Sequence, residues 1–268
     1  MARKFSLAYL TLPGIEPLEQ IEIAAQAGYD FVSLRTIPMG QEGEPQICLE
    51  KDPILFKKVQ GALKANNIKL LDIELLRIKE DLPVDYRKAF ECGAKLGATD
   101  VLSSVWTEDR NLAVERYGRI CEDAKEFGLT INLEFPIISG LKNLQAVLAV
   151  QEKVGAPNLK ILMDMLYVYW TGLNGLGIKK INPQKFGLLH ICDCPRDEQD
   201  KEKVEIMRGD REYCGQGIID LKDIITALPA NNCSIESPNY KYIEKYGRLG
   251  HAKRCLENAK KVFAEAHV

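Results

Sequence analysis

Short apolar runs recur along the chain, each introduced by a stretch with helical spacing that ends in Gly or Asn. Five copies stand out: AAQAGYDFVSL at 24–34, ALKANNIKLLDIEL at 62–75, GAKLGATDVLSSV at 93–105, AKEFGLTINLEF at 124–135 and EKVGAPNLKILMDM at 152–165. Gly28, Asn67, Gly97, Gly128 and Gly155 stand where a helix C-cap needs a left-handed residue. They return at roughly 30-residue intervals, the length of one βα unit. The helical stretches carry apolar stripes at the 3.6-residue period: Leu141, Leu144, Leu148 and Val154 form one, and Ala252, Cys255, Leu256, Ala259, Val262 and Phe263 another.

Strands are predicted near 5–11, 30–35, 69–76, 100–106, 130–135, 159–164, 186–191 and 232–236. Strand–helix alternation over a whole chain argues for a parallel sheet with helices outside it, and eight repeats favour closure. The expectation is an α/β fold, a single (β/α)8 barrel spanning residues 1–268. The chain's 268 residues fit the ~250 of such a barrel. The competing architecture, an open doubly wound sheet, usually shows a glycine-rich phosphate loop after an early strand, and none is present. One connection is unusually long and charged, ICDCPRDEQDKEKVEIMRGDREYCGQG between His190 and Ile218. Connections of this length in compact domains are functional or disordered. A lid-like loop at 192–217, on the active face of the barrel, and a merely solvated insertion both fit it.

Composition narrows the function. With 36 basic and 38 acidic residues the net charge is −2, which gives no electrostatic footprint for nucleic acid or an anionic membrane. No apolar run approaches the ~20 residues of a membrane span. The start, MARKFSLAYLTLPG, lacks a small-residue cleavage site and reads better as a first strand than as a leader. Eight scattered cysteines in a chain of this size imply reduced thiols and a cytoplasmic protein, not a disulfide framework. Cys192 and Cys194 lack the further Cys or His neighbours that a zinc site needs.

In a barrel, catalytic groups come from strand C-terminal ends. Four consecutive strands end in a polar residue: Glu134 in TINLEF, Asp164 in KILMDM, His190 in FGLLHIC and Glu236 in NCSIESP. Side chains alternate along a strand. Ile131, Leu133, Phe135, Ile161, Met163, Met165, Cys233 and Ile235 therefore face the outer helices, and the acids face the barrel mouth. Three carboxylates buried together repel one another, and a divalent cation removes that conflict. Three oxygen ligands and one imidazole suit Mn, Co, Mg or Zn. Taken singly, each residue has an ordinary reading as an exposed acid, a helix cap or a hydrogen-bonded core histidine. Four ligand-type residues on four successive strand ends are far more specific. The chain has only three His, and His251 and His267 lie in the last helix and the tail. Arg35 in VSLRT, Glu74 and Arg77 in DIELLRI, and Trp106 in SSVW are further strand-end residues that could recognise hydroxyls; for Arg35 a surface salt bridge is nearly as good a reading.

The E…D…H…E series on strands five to eight resembles the xylose isomerase-like barrels, especially the sugar phosphate isomerase/epimerase group. The resemblance covers nearly the whole chain. HICDCPR matches that group's H-x-x-[DE]-x-x-R, with Asp193 and Arg196 at the conserved-type positions, and GQGIID matches its G-x-G-x-I-D. The resemblance implies one metal ion, often manganese, held by Glu134, Asp164, His190 and Glu236. It implies Glu134 and Glu236 as the proton-transfer pair, with Arg196 contacting substrate oxygens. The substrate would be a small sugar, keto-sugar or inosose, isomerised or epimerised through an enediolate. Loss of a β-hydroxyl at the same site would instead make the protein a dehydratase or lyase, and a barrel that only binds is the remaining alternative. The sequence departs from the pattern at Tyr167, where ketose 3-epimerases often place a His three residues after the Asp. Abasic-site endonucleases of the same fold need a His-rich multi-zinc site and a basic groove, which three His and the acidic balance oppose. A homodimer is left open.

Overall fold

The computed structural model describes residues 3–40, 43–82 and 84–267. Eight parallel strands close in sequence order: β1 (Phe5–Leu7), β2 (Phe31–Arg35), β3 (Lys69–Ile78), β4 (Asp100–Val105), β5 (Thr130–Leu133), β6 (Leu159–Asp164), β7 (Phe186–Ile191) and β8 (Cys233–Ile235). Closure is made by β1 on β8, where Ser6 stands opposite Ser234. The helices α1 (Pro17–Ala27), α2 (Pro53–Ala65), α3 (Arg87–Lys95), α4 (Arg110–Glu126) and α5 (Leu144–Val154) fill the first five crossovers. Two short helices, α6 (Met165–Trp170) and α7 (Gly175–Ile178), follow β6; α8 (Lys203–Gly209) and α9 (Leu221–Ala227) follow β7; and α10 (Tyr240–Glu265) ends the barrel. No described helix is long and apolar enough to cross a membrane.

The punctuation read from the sequence is what turns the chain. Gly28, Asn67, Gly97, Gly128 and Gly155 all have positive φ, between 51° and 94°. Helix starts are capped locally: Asp52, Asp109 and Asn143 accept hydrogen bonds from backbone N–H groups in the first turns of α2, α4 and α5.

Alternation sorts the apolar residues into two cores. The large one lies between strands and helices and contains all eight outward residues expected around Glu134, Asp164 and Glu236. The small one fills the barrel interior with Leu71, Leu102, Leu162 and Leu188. The rest of the interior is polar. The Ser33 hydroxyl sits within hydrogen-bonding distance of Ser6 (2.8 Å) and Ser234 (3.2 Å) and donates to the carboxylate of buried Asp72. The Asn132 side chain bridges strands, accepting from Leu188 N and donating to Asp100.

The long connection after β7 is folded, not loose. Cys192 to Pro195 are buried, as are Ile206, Met207 and Gly209 to Arg211. Asp193 and Glu212 exchange backbone hydrogen bonds of 3.0 and 2.9 Å, which pins the two ends of the segment together as a hairpin. Its α-helix, α8, brings Met207 and Arg208 to the barrel mouth, so the segment forms a wall of the pocket there.

Candidate metal centre

The four strand-end residues meet. One donor atom from each of Glu134, Asp164, His190 and Glu236 lies within 4.8 Å of the other three. His190 Nδ1 stands 3.4 Å from Glu134 Oε1, 3.4 Å from Glu236 Oε2 and 4.0 Å from Asp164 Oδ2. Ligand bonds of ~2.0–2.2 Å meeting at tetrahedral to octahedral angles separate neighbouring donors by roughly 3.0–3.6 Å. Two of the three spacings fall in that range, and the third needs a shift of a few tenths of an ångström. Glu134 Oε1 and His190 Nδ1 are buried and have no hydrogen-bond partner among the described residues. Two unpartnered buried donors, aimed at one another across a ligand-sized gap, fit a cation between them.

Register places these groups. Asp164 is paired with His190 across β6 and β7, so these two are delivered at one level, and Glu236 lies two residues beyond Ser234, the partner of His190 on β8. Asp164 serves two structures at once. Its Oδ1 caps α6 by accepting from Leu166 N at 2.8 Å, which leaves Oδ2 turned to the cluster.

Sequence reasoning missed Arg211, the largest fully buried side chain among the described residues. Its guanidinium pairs with Asp164 Oδ2 at 2.7 Å and Glu236 Oε2 at 3.0 Å, and donates to the Met207 and Glu236 carbonyls. Three carboxylates carry three negative charges; a divalent ion and Arg211 together carry three positive ones. The protein's own means of balancing the acids is protonation. Burial, with repulsion from Glu236 and Asp164 outweighing the pull of His190, pushes the Glu134 carboxyl up to about 7. Burial also raises Asp164, against the pull of Arg211. Burial opposes the charge on His190, but the Glu236 and Glu134 carboxylates override it and raise the imidazole well above its usual value. At Glu236 burial is likewise outweighed, here by His190 and Arg211, and its carboxyl is lowered to about 2.

Above the cluster lies a pocket of about 350 Å³, within the ~300–1,000 Å³ typical of small-molecule sites. Glu134 and Glu236 line it, whereas Asp164 and His190 sit behind them. Arg35, Arg77 and Trp106 line it. Arg35 is buried, not a surface residue: it is clamped by Glu44 at 2.7 Å and Glu74 at 2.8 Å and lies 4.4 Å over the Tyr9 ring. The Trp106 indole N–H donates to Ser104 at 2.9 Å.

Three expected substrate contacts are placed otherwise. Glu74 is held by Arg35 and by Tyr9 N, so it orients Arg35 and is not among the residues lining the pocket. Asp193 accepts from the backbone N–H groups of Cys194, Gly215, Gly217 and Ile219 at 2.8–3.1 Å; it is a staple for the turn that follows. A Cβ on Gly217 would lie 2.2 Å from the Cys194 carbonyl oxygen and 2.3 Å from Asp193 Oδ1, which explains the second glycine of G-x-G. Arg196 is exposed and borders a separate surface cleft with Asp210 and Lys241. The hairpin carries it outward, and the arginine that returns to the site is Arg211. Its position just before the G-Q-G turn that Asp193 holds was the available signal.

The sequence family described as xylose isomerase-like TIM barrel matches residues 21–259. The chain belongs to the xylose isomerase-like TIM barrel family. Solved structures of similar fold include the IolI protein with a bound zinc atom, at 19% identity and a TM-score of 0.80 over 98% of both chains. A xylose isomerase domain protein from Alicyclobacillus acidocaldarius matches at 18% identity and 0.77 over 100% of both. D-allulose 3-epimerase from Methylomonas sp., in complex with D-allulose, matches at 18% and 0.72 over 97% of both. A comparison with curated proteins finds no significant sequence match. At these identities the structural likenesses establish the barrel.

Proposed function

We propose that this member of the xylose isomerase-like family is a divalent-metal-dependent isomerase or epimerase of a small sugar, keto-sugar or inosose. The observation that carries the reading is the converging donor set at the floor of the pocket, with two of its four members, Glu134 and Glu236, facing the space a substrate would fill. Glu134, Asp164, His190 and Glu236 would hold one ion. The oxygen-rich set favours manganese, with cobalt, magnesium or zinc as alternatives. When bound, the ion supplies Lewis acidity to adjacent carbonyl and hydroxyl oxygens, which acidifies the neighbouring C–H.

The chain's residues do the rest. Glu134 and Glu236 directly follow β5 and β8, so they would reach a bound carbon from different sides of the mouth. One carboxylate takes the proton and the other returns it on the opposite face, which inverts the centre. Asp164 binds and is turned away from the reacting carbon by its role at α6. Arg211 keeps Glu236 ionised and fixes its direction. Of the other charges around the pocket, Arg35 lies between Glu44 and Glu74, Arg77 donates to the Met39 carbonyl at 2.6 Å, and Arg208 reaches the mouth from α8.

The test is deuterium wash-in. Manganese-loaded protein is incubated in heavy water with ketohexoses, ketopentoses and inososes, and each product is read by NMR. Exchange at the carbon next to the carbonyl, lost by about 10²–10⁴-fold in Glu134→Gln and Glu236→Gln with metal retained, supports the reading. Exchange that persists in both variants would place the base elsewhere. Loss of water without exchange would make the enzyme a dehydratase.

A further inference from the structure

Tyr167 is buried, and the reading of the site given so far assigns it no role. It lies in α6, the turn whose N-cap is Asp164, so one short piece of backbone positions both a cluster carboxylate and the phenol. Its ring is held between Phe135 and Trp170, at centroid distances of 6.5 and 6.4 Å. The guanidinium of Arg211 lies 5.7 Å from the ring centre, with Nη2 at a long 3.5 Å from the phenol oxygen. That contact uses the oxygen as an acceptor. Among the described residues nothing accepts the hydroxyl proton, and Tyr167 lines the reaction pocket with Glu134 and Glu236. A tyrosine buried to this degree normally finds a partner for its O–H.

We infer that Tyr167 is a substrate-contacting residue whose hydroxyl donates a hydrogen bond to the substrate oxygen on which negative charge develops. The inference rests on the function proposed above. The Arg211 contact uses a lone pair of the phenol oxygen and leaves its O–H free to turn toward the pocket that Tyr167 lines. Burial first, and the nearby Glu134 carboxylate second, keep the phenol neutral well past its usual range, so it acts as a donor and keeps its proton. Such a group stabilises an oxyanion without competing with the two glutamates for the proton in transit. It also discriminates: a substrate with a hydrogen or methyl at that position would leave the hydroxyl unpaired.

The experiment uses Tyr167→Phe, which keeps the ring between Phe135 and Trp170 and removes only the O–H. The probe is glycolohydroxamate, a mimic of a planar enediolate with two adjacent oxygens, titrated into manganese-saturated protein by calorimetry. Manganese affinity is measured separately on both proteins. The expected result is unchanged manganese affinity with probe affinity lowered about ten- to a hundredfold, the scale of a hydrogen bond to a charged oxygen. Equal probe affinity in variant and wild type overturns the inference while leaving the proposed function standing. A parallel loss of manganese affinity also overturns it, since the hydroxyl would then act on the cluster. Wild-type protein that binds manganese but not the probe defeats the proposed function itself.

Discussion

Replacing Arg211 by methionine removes a buried cation and leaves its two carboxylate partners in place. Methionine fills much of the same volume, so the perturbation is mainly electrostatic. Asp164 Oδ2 and Glu236 Oε2 lose contacts of 2.7 and 3.0 Å at side chains that are 0% and 6% exposed. Removing one partner of a buried ion pair costs about 3–5 kcal/mol, which for a domain of this size lowers Tm by about 6–15 °C. The loss should depend on pH. Without Arg211 the folded pKa of Asp164, already raised by burial, rises further and that of Glu236 rises from its lowered value, so the folded variant holds protons that the folded wild type has released. The deficit relative to wild type is then smallest at acid pH, where both carboxyls are protonated in either protein, and grows as the pH rises. It should also depend on metal, because a divalent ion restores positive charge at the same oxygens. The assay is thermal unfolding of wild type and variant from pH 5 to 8, after chelation and with saturating manganese. A deficit that is equal with and without manganese, or flat across pH, would refute the charge-balance argument.

His190→Ala should weaken manganese binding more than any other single change outside the carboxylates, since it removes the one nitrogen donor; calorimetric titration reads it directly. Because the Glu134 carboxyl titrates at about 7 and must ionise to bind, manganese affinity should fall as the pH drops through 7, and binding at neutral pH should release protons. Calorimetry in buffers of different ionisation enthalpy measures that release. Arg196→Ala should leave manganese affinity and turnover within about twofold of wild type, as expected of an exposed side chain away from the pocket. Gly217→Ala should destabilise the fold by roughly 1–3 kcal/mol through overpacking against Cys194 and Asp193, seen as a lower urea midpoint.

The parts of the molecule fixed by local rules were open to sequence reasoning. A left-handed residue ends a helix wherever it falls, so Gly28, Asn67, Gly97, Gly128 and Gly155 marked five of the repeats. Period-two alternation settles which strand residues face inward, so Glu134, Asp164, His190 and Glu236 could be brought together from spacing alone. What escaped depends on pairing between distant segments. Asp193 and Arg196 lie close to His190 in sequence, and counting from the histidine favours both. The bridge between Asp193 and Glu212 decides the matter instead, because it turns the inserted residues into a hairpin and returns Arg211 to the site. Glu44 clamps Arg35 from a loop that carries no periodic signal, so its partner there was equally hidden.

Asp164 is asked to satisfy two requirements with one side chain, and this narrows what position 164 can tolerate. Lengthening it to Glu would carry the carboxylate past the α6 N–H groups, giving up the cap even if a ligand oxygen survived. Asn or Ser could still cap, but neither brings a negative charge to the cluster or to Arg211. Drift at this site is therefore blocked twice over, for folding and for chemistry. On the proposed reading, the cap also leaves Asp164 only Oδ2 to offer an ion.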